Sequence, residues 1–134
     1  MPLDVGLLGR RKGKKAERVA FDCFKKLGMG VRKAYLMDYI GRTDLYVKDY
    51  SRRKVELGFP VGYRSRWFRL QVSVSPKSKL EQERCMRDRV IPVVAYEGID
   101  PQVLLSDFLE GKEELEDFEE ALRKRTGEDI NEAW

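Results

Sequence analysis

The sequence predicts a mixed α/β domain in the order α-β-β-β-α-β-α-α, and three stretches carry that expectation. Ala16, Ala20, Cys23, Phe24 and Leu27 recur at helical spacing along one stripe. Residues 66–75 alternate strictly, with Phe68, Leu70, Val72 and Val74 on one face and Trp67, Arg69, Gln71, Ser73 and Ser75 on the other. Residues 91–96 form a short apolar run of strand length. At 134 residues, 42% of them hydrophobic, the chain has the size of one domain and apolar material for a modest core.

Taken in order, residues 1–12 read as a loose arm ending in the basic cluster Arg10, Arg11 and Lys12. The first helix covers 13–27 and stops at Gly28 and Gly30, glycine being the usual residue after a last turn. A first strand is expected over 31–40, then a turn at Gly41 and Arg42. In the second strand, 43–49, Leu45 and Val47 alternate with Asp44, Tyr46 and Lys48. Residues 50–65, with Gly58, Pro60 and Gly62, read as a long polar connection. The third strand ends at Pro76, and Ser78 and Glu81 have capping-box spacing for a helix running to about Arg89. Residues 90–96 are a fourth, buried strand. Asp100 and Pro101 open a short helix to about Leu109, because proline suits the first helical position. Gly111 breaks that helix, and residues 113–125 follow as an acidic amphipathic helix with Leu115, Phe118 and Leu122 inward and Arg123, Lys124 and Arg125 at its end. The expected organisation is a basic arm (1–12), an α/β core (13–96) and a helical extension packed on it (97–134).

Composition removes several kinds of chemistry. The chain has no histidine, which excludes Ser-His-Asp and Cys-His nucleophile systems and imidazole metal ligands. Cys23 and Cys85 are too few for a four-thiolate zinc site or a disulfide framework. A metal held here is therefore a hard ion on oxygen ligands. No apolar run approaches the roughly 20 residues that span a membrane, and Leu7 and Leu8 are too short a core for a signal peptide. The expected location is cytoplasmic and reducing, with both thiols free. The net charge of +4 hides an asymmetry: residues 1–90 carry 23 Lys and Arg against 10 Asp and Glu, whereas residues 91–134 carry 4 against 13. A basic body with an acidic tail region is the pattern of a polyanion binder with a separate acidic face.

Glu17 lies beside the apolar stripe of the first helix, Asp44 follows a glycine-containing turn, and Gln71 and Ser73 point the same way from the third strand. A helix carboxylate, a strand-end carboxylate and an amide oxygen on the adjacent strand suit one Mg²⁺-sized ion, which would hold a phosphodiester oxygen and acidify an attacking water. Over residues 13–96 this order resembles the PD-(D/E)XK nuclease superfamily, which has a restriction endonuclease-like core. The segment Lys12-Gly13-Lys14-Lys15-Ala16-Glu17-Arg18 looks like the first helix of its archaeal Holliday-junction resolvase branch. Gly41-Arg42-Thr43-Asp44-Leu45 is similar to the segment with the metal-binding aspartate, and Leu70-Gln71-Val72-Ser73 stands where the superfamily has glutamate, any residue, lysine. The resemblance implies an α-β-β-β-α-β core, Mg²⁺ or Mn²⁺ held by Glu17, Asp44 and Gln71, and hydrolysis of DNA phosphodiesters, with branched DNA and a homodimer in view. Gln71 has precedent in one branch of such nucleases. Ser73 cannot do the work of the lysine that orients water and stabilises developing charge; Lys77 or Lys79 would have to reach back.

The expected DNA contacts are Arg10, Arg11, Lys12, Lys14 and Lys15 near the first helix, and Arg52, Arg53, Lys54, Arg64 and Arg66 flanking the long connection. Tyr50, Phe59, Tyr63 and Trp67 are interleaved there and offer faces for unpaired bases. The plain alternative for every one of these residues is a solvated or locally packed side chain. The acidic helices would cover one face of the sheet, form a dimer surface, or mimic DNA in the basic groove. Three functions follow: a nuclease, a catalytically silent nucleic-acid-binding module of the same fold, and a subunit of a larger repair or mobile-element complex.

Overall fold

A computed structural model describes residues 2–34, 43–52 and 63–126. The elements are α1 (Pro2–Lys26), β1 (Gly30–Lys33), β2 (Leu45–Arg52), β3 (Tyr63–Ser73), α2 (Lys79–Arg87), β4 (Val90–Val94) and α3 (Pro101–Thr126). The four strands make one mixed sheet in the order β1-β2-β3-β4, antiparallel except for the parallel β3–β4 pair. The parallel pair is joined through α2, the crossover that such pairing requires.

Strand alternation divides the sheet into two unlike faces. Leu45, Val47, Phe68, Leu70 and Val72 point into the core, where they meet Ala16, Ala20 and Phe24 of α1 and Leu104, Phe108 and Leu115 of α3. Phe108 packs edge-on against Phe24 and against Phe68 at centroid distances of 5.6 and 5.8 Å. Among the described residues, α2 covers the opposite face only beside β4: Cys85 Sγ donates to Gln71 Oε1 at 3.2 Å, and Arg69 donates to the carbonyl of Asp88 at 3.0 Å.

The edges and ends follow local chemistry. Pro92 is tolerated in β4 because this is an edge strand, and the Val94 N–H is taken by Asp107 of α3 at 2.9 Å. Ser78 caps α2 by accepting from Glu81 N, in the expected position. Asp100 caps α3 through its side chain to Gln102 N and its carbonyl to Val103 N and Leu104 N. Among the described residues no helix is long and apolar enough to cross a membrane.

Four expectations about elements need correction. The helix assigned to 13–27 begins at Pro2, so most of the expected basic arm is helical backbone; the missing N–H of a first-position proline costs nothing there. The first strand is Gly30–Lys33; of its expected span 31–40, residues 35–40 lie outside the described residues, as does the expected turn at Gly41 and Arg42. The expected connection 50–65 is shorter at both ends, since β2 runs on to Arg52 and β3 starts at Tyr63; residues 53–62 lie outside the described residues. The two C-terminal helices are one helix that passes through Gly111. Gly111 is a contact residue: a Cβ built there would lie 2.5 Å from Ile91 Cγ2. The missing side chain lets α3 lie close on β4.

Gly111→Ala tests this assignment. Helix propensity alone would stabilise the protein by up to about 1 kcal/mol, whereas overpacking against Ile91 costs about 1–3 kcal/mol. Denaturant unfolding is expected to show net destabilisation, and in a double-mutant cycle with Ile91→Ala, which removes Cγ2, the Gly111→Ala cost is expected to disappear.

Candidate functional site

Asp44 stands one residue before β2, where that strand leaves β3. Its N–H donates to Leu70 O at 2.8 Å and its carbonyl accepts from Ala34 N at 3.1 Å, so its backbone belongs to the sheet on both sides. Its side chain then replaces the backbone as acceptor: Val72 N donates to Asp44 Oδ2 at 2.8 Å. The carboxylate is thereby anchored at the point where the two strands part.

α1 brings Glu17 to the same place. Ala16 and Ala20 are fully buried, and their small side chains let the helix approach the sheet closely. Glu17, next to Ala16, is half-buried at the margin of that contact. Its carboxyl hydrogen-bonds the carboxylate of Asp44. Burial first, then the charge of Asp44 and the shared hydrogen bond, push Glu17 up from 4.5 to about 7, while Lys14 and Lys33 pull it down. Asp44 is also raised, by burial, against the lowering effects of the Val72 N–H, the hydrogen bond from Glu17 and the charge of Lys77. The pair therefore shares a proton around neutral pH.

Two of the three expected oxygen ligands meet and the third is engaged elsewhere. Gln71 Oε1 accepts from the buried thiol of Cys85. Ser73 Oγ donates to Ser75 O at 2.7 Å. Of the two lysines considered as replacements, Lys77 is the one whose charge bears on Asp44. Lys77 and Lys79 also border a groove of about 610 Å³ with Ser73, Pro92, Glu110 and Glu114; neither carboxylate of the pair lines it.

The expected DNA contacts divide in the same way. Lys14 and Lys15 are exposed, with Lys15 paired to Glu97 at 2.7 Å. Arg66 is taken by α3, donating to both oxygens of Glu119 at 2.7 and 3.4 Å. Arg53 and Lys54 lie outside the described residues, as do the side chains of Arg10, Arg11, Lys12, Arg52 and Arg64. Sequence reasoning passed over Lys14 and Lys33 as neighbours of Glu17. Lys14 was legible from its place three residues earlier on the helix; Lys33 approaches only through the packing of α1 on β1. The outward cations and rings Arg32, Tyr46 and Lys48 were also passed over, because each is an ordinary strand residue until the register aligns them.

The chain matches no family model, no curated protein and no solved structure.

The shared proton gives a pH dependence with a defined sign. Between pH 4.5 and about 7 the folded chain keeps a proton on Glu17 that the unfolded chain has lost. Stability therefore falls as pH rises through this window, and the loss is complete above it. Glu17→Gln keeps a hydrogen-bond donor for Asp44 and removes the repulsion. It is expected to flatten the window and to stabilise the protein at pH 8 by on the order of 1–2 kcal/mol, the shift being discounted for partial solvent exposure. Urea titrations of both proteins from pH 4 to 8.5 read this directly; parallel profiles would refute the pairing.

Proposed function

We propose that the chain is a divalent-metal-dependent nuclease acting on DNA, on the restriction endonuclease-like plan, with Glu17 and Asp44 as its metal-binding carboxylates and Lys77 as the cation beside them. The observation that carries this reading is the meeting of Glu17 and Asp44 at the parting of β2 and β3, with the charge of Lys77 bearing on Asp44. Two carboxylates that share a proton are a hard-oxygen donor set in which a cation can replace the proton. Among the described residues no group of three or more His, Cys, Asp or Glu is placed to hold a metal ion. Two carboxylates still suit Mg²⁺, which keeps several waters and completes its shell with substrate phosphate.

Within this reading Asp44 is the fixed ligand, because the Val72 N–H holds its Oδ2. Glu17 is the ligand that loses a proton on loading. Mg²⁺ or Mn²⁺, when bound, supplies a more acidic water and offsets phosphate charge. Lys77 supplies the positive charge that Ser73 cannot. Gln71 would join only by leaving Cys85. Branched DNA and a homodimer remain the finer form of the proposal, and the two buried free cysteines suit a reducing, cytoplasmic setting. The engagement of Gln71 and Ser73 by Cys85 and Ser75 favours a second reading, a silent DNA-binding module of the same fold.

Cleavage of linear and branched DNA with Mg²⁺ or Mn²⁺ separates the two. The nuclease reading expects chelator-sensitive cutting that falls by about a hundredfold or more in Asp44→Ala and Glu17→Ala, and by at least about tenfold in Lys77→Ala. It also expects Mg²⁺ at pH 8 to raise the Tm of the native chain and not of Asp44→Asn. Cutting that persists in Asp44→Ala sinks the metal assignment. Salt-sensitive binding without cutting selects the silent module.

A further inference from the structure

The face of the sheet turned away from α1 and α3 carries a second candidate surface. Strand register sets its residues in rows: Gly30, Lys48 and Trp67 form one, and Arg32, Tyr46 and Arg69 the next. Tyr50 continues the surface, opposite Ser65. Tyr50 is 63% exposed and Trp67 37%. The Arg32 guanidinium lies 4.6 Å from the Trp67 ring centroid and 4.9 Å from that of Tyr46, and Lys48 Nζ lies 5.9 Å from Trp67. Three cations, Arg32, Lys48 and Arg69, thus point from this face with three aromatic rings. Of the acids along β2, Asp49 has the opposite parity and pairs with Lys112 of α3 at 2.9 Å, while Asp44, which shares the parity of Tyr46 and Lys48, is held at the strand's start by Val72 N and Glu17.

Gly30 keeps one end of this surface low. A Cβ there would lie 3.0 Å from Lys48 Cβ and 3.4 Å from Trp67 Cη2. The absent side chain leaves Trp67 and Lys48 uncovered from the β1 side. A sheet face with exposed rings and interleaved cations matches what an unpaired polynucleotide strand offers, namely base faces to stack and phosphates to neutralise. Duplex DNA hides its base faces, so rings on this surface gain little from it.

We propose that the outer face of β1–β3, centred on Trp67, Arg32, Tyr46 and Lys48 and extending to Tyr50, binds single-stranded DNA. This surface stands on the opposite side of the sheet from α1, and strand binding there does not require the carboxylate pair. Only the choice of DNA over RNA rests on the proposed function. Trp67 and Tyr50 stack bases, Arg32 stacks or pairs with phosphate, and Lys48 neutralises phosphate.

The test is fluorescence anisotropy of a labelled oligo-dT of about twelve nucleotides, with chelator present so that no strand is cut. Oligo-dT is expected to bind at least about tenfold more tightly than duplex of equal length. Trp67→Leu is expected to weaken it roughly tenfold and Trp67→Phe by no more than about threefold, as stacking predicts. Lys48→Gln should lower the slope of log K against log salt by about 0.7. Tyr50→Ser, at an open position, serves as a second stacking variant if Trp67→Leu does not fold. Equal binding of duplex or of poly-glutamate overturns the proposal, as does preference for oligo-rU or indifference to both ring substitutions. Strand binding that depends on Trp67, with no cutting under any metal, keeps this surface and removes the nuclease reading. Metal-dependent cutting with binding indifferent to Trp67 and Tyr50 does the reverse.

Discussion

The ring of Phe108 decides which side of the sheet is interior. It stands edge-on to Phe24 of α1 and Phe68 of β3, so a single side chain from α3 joins both long helices to the central strands. Each such aromatic pair contributes about 0.5–1.5 kcal/mol beyond the area it buries. The geometric consequence matters more. Both long helices must share one face, and among the described elements only α2 is left for the other. α1 in that position delivers Glu17 to the start of β2, and the uncovered face is left to the cations and rings of β1–β3. The two candidate surfaces are opposite results of one packing choice.

The same choice reorders the charge. In the sequence the acidic residues beyond position 90 look like a separate face held apart from a basic body. In the fold, Glu119 binds Arg66 and lies 3.6 Å from Arg89, while Glu116 accepts from Ser51 and Lys112 binds Asp49. These contacts fasten α3 to the β2–β3 ribbon, so part of the acidic region is structural. Arg66 is partly buried in a two-oxygen contact, the geometry in which arginine pairs best. Among the described residues, Arg66 is thereby withdrawn from the surface charge the sequence suggests, while Arg32, Lys48 and Lys14 remain exposed.

What the sequence reveals follows from the range of the interactions involved. The alternation expected over residues 66–75 and the Ser78 cap are local patterns; the cap stands where expected, and the alternation holds as far as Ser73, where β3 ends, leaving Val74 exposed. The helix through Gly111 was illegible because the reason for the glycine is Ile91, twenty residues earlier and on another element. Of the candidate site residues, Glu17 and Asp44 were singled out by their order along the chain, and the structure brings their carboxyls together. Gln71 was placed with them by alternation, which gives the face of a strand and says nothing of the thiol waiting on α2. Lys77 and Lys79 were indistinguishable by spacing; only the turn after β3 separates them.

The carboxylate pair has a further implication for why the fold keeps it. An acid whose role is structural is normally satisfied by a cation in contact or by backbone donors. Asp44 has such a donor in Val72 N, but Glu17 meets a second carboxyl, and Lys14, Lys33 and Lys77 act on the pair through their charge. Like charges in contact work against folding at neutral pH, by an amount set by how closely α1 approaches the sheet. Ala16 and Ala20 set that approach, and larger apolar residues there would bury more surface while moving Glu17 away from Asp44. The helix thus has its smallest apolar side chains where they hold two acids together. Folding stability alone does not favour that combination; the proposed metal site, which would exchange the shared proton for a cation, would account for it.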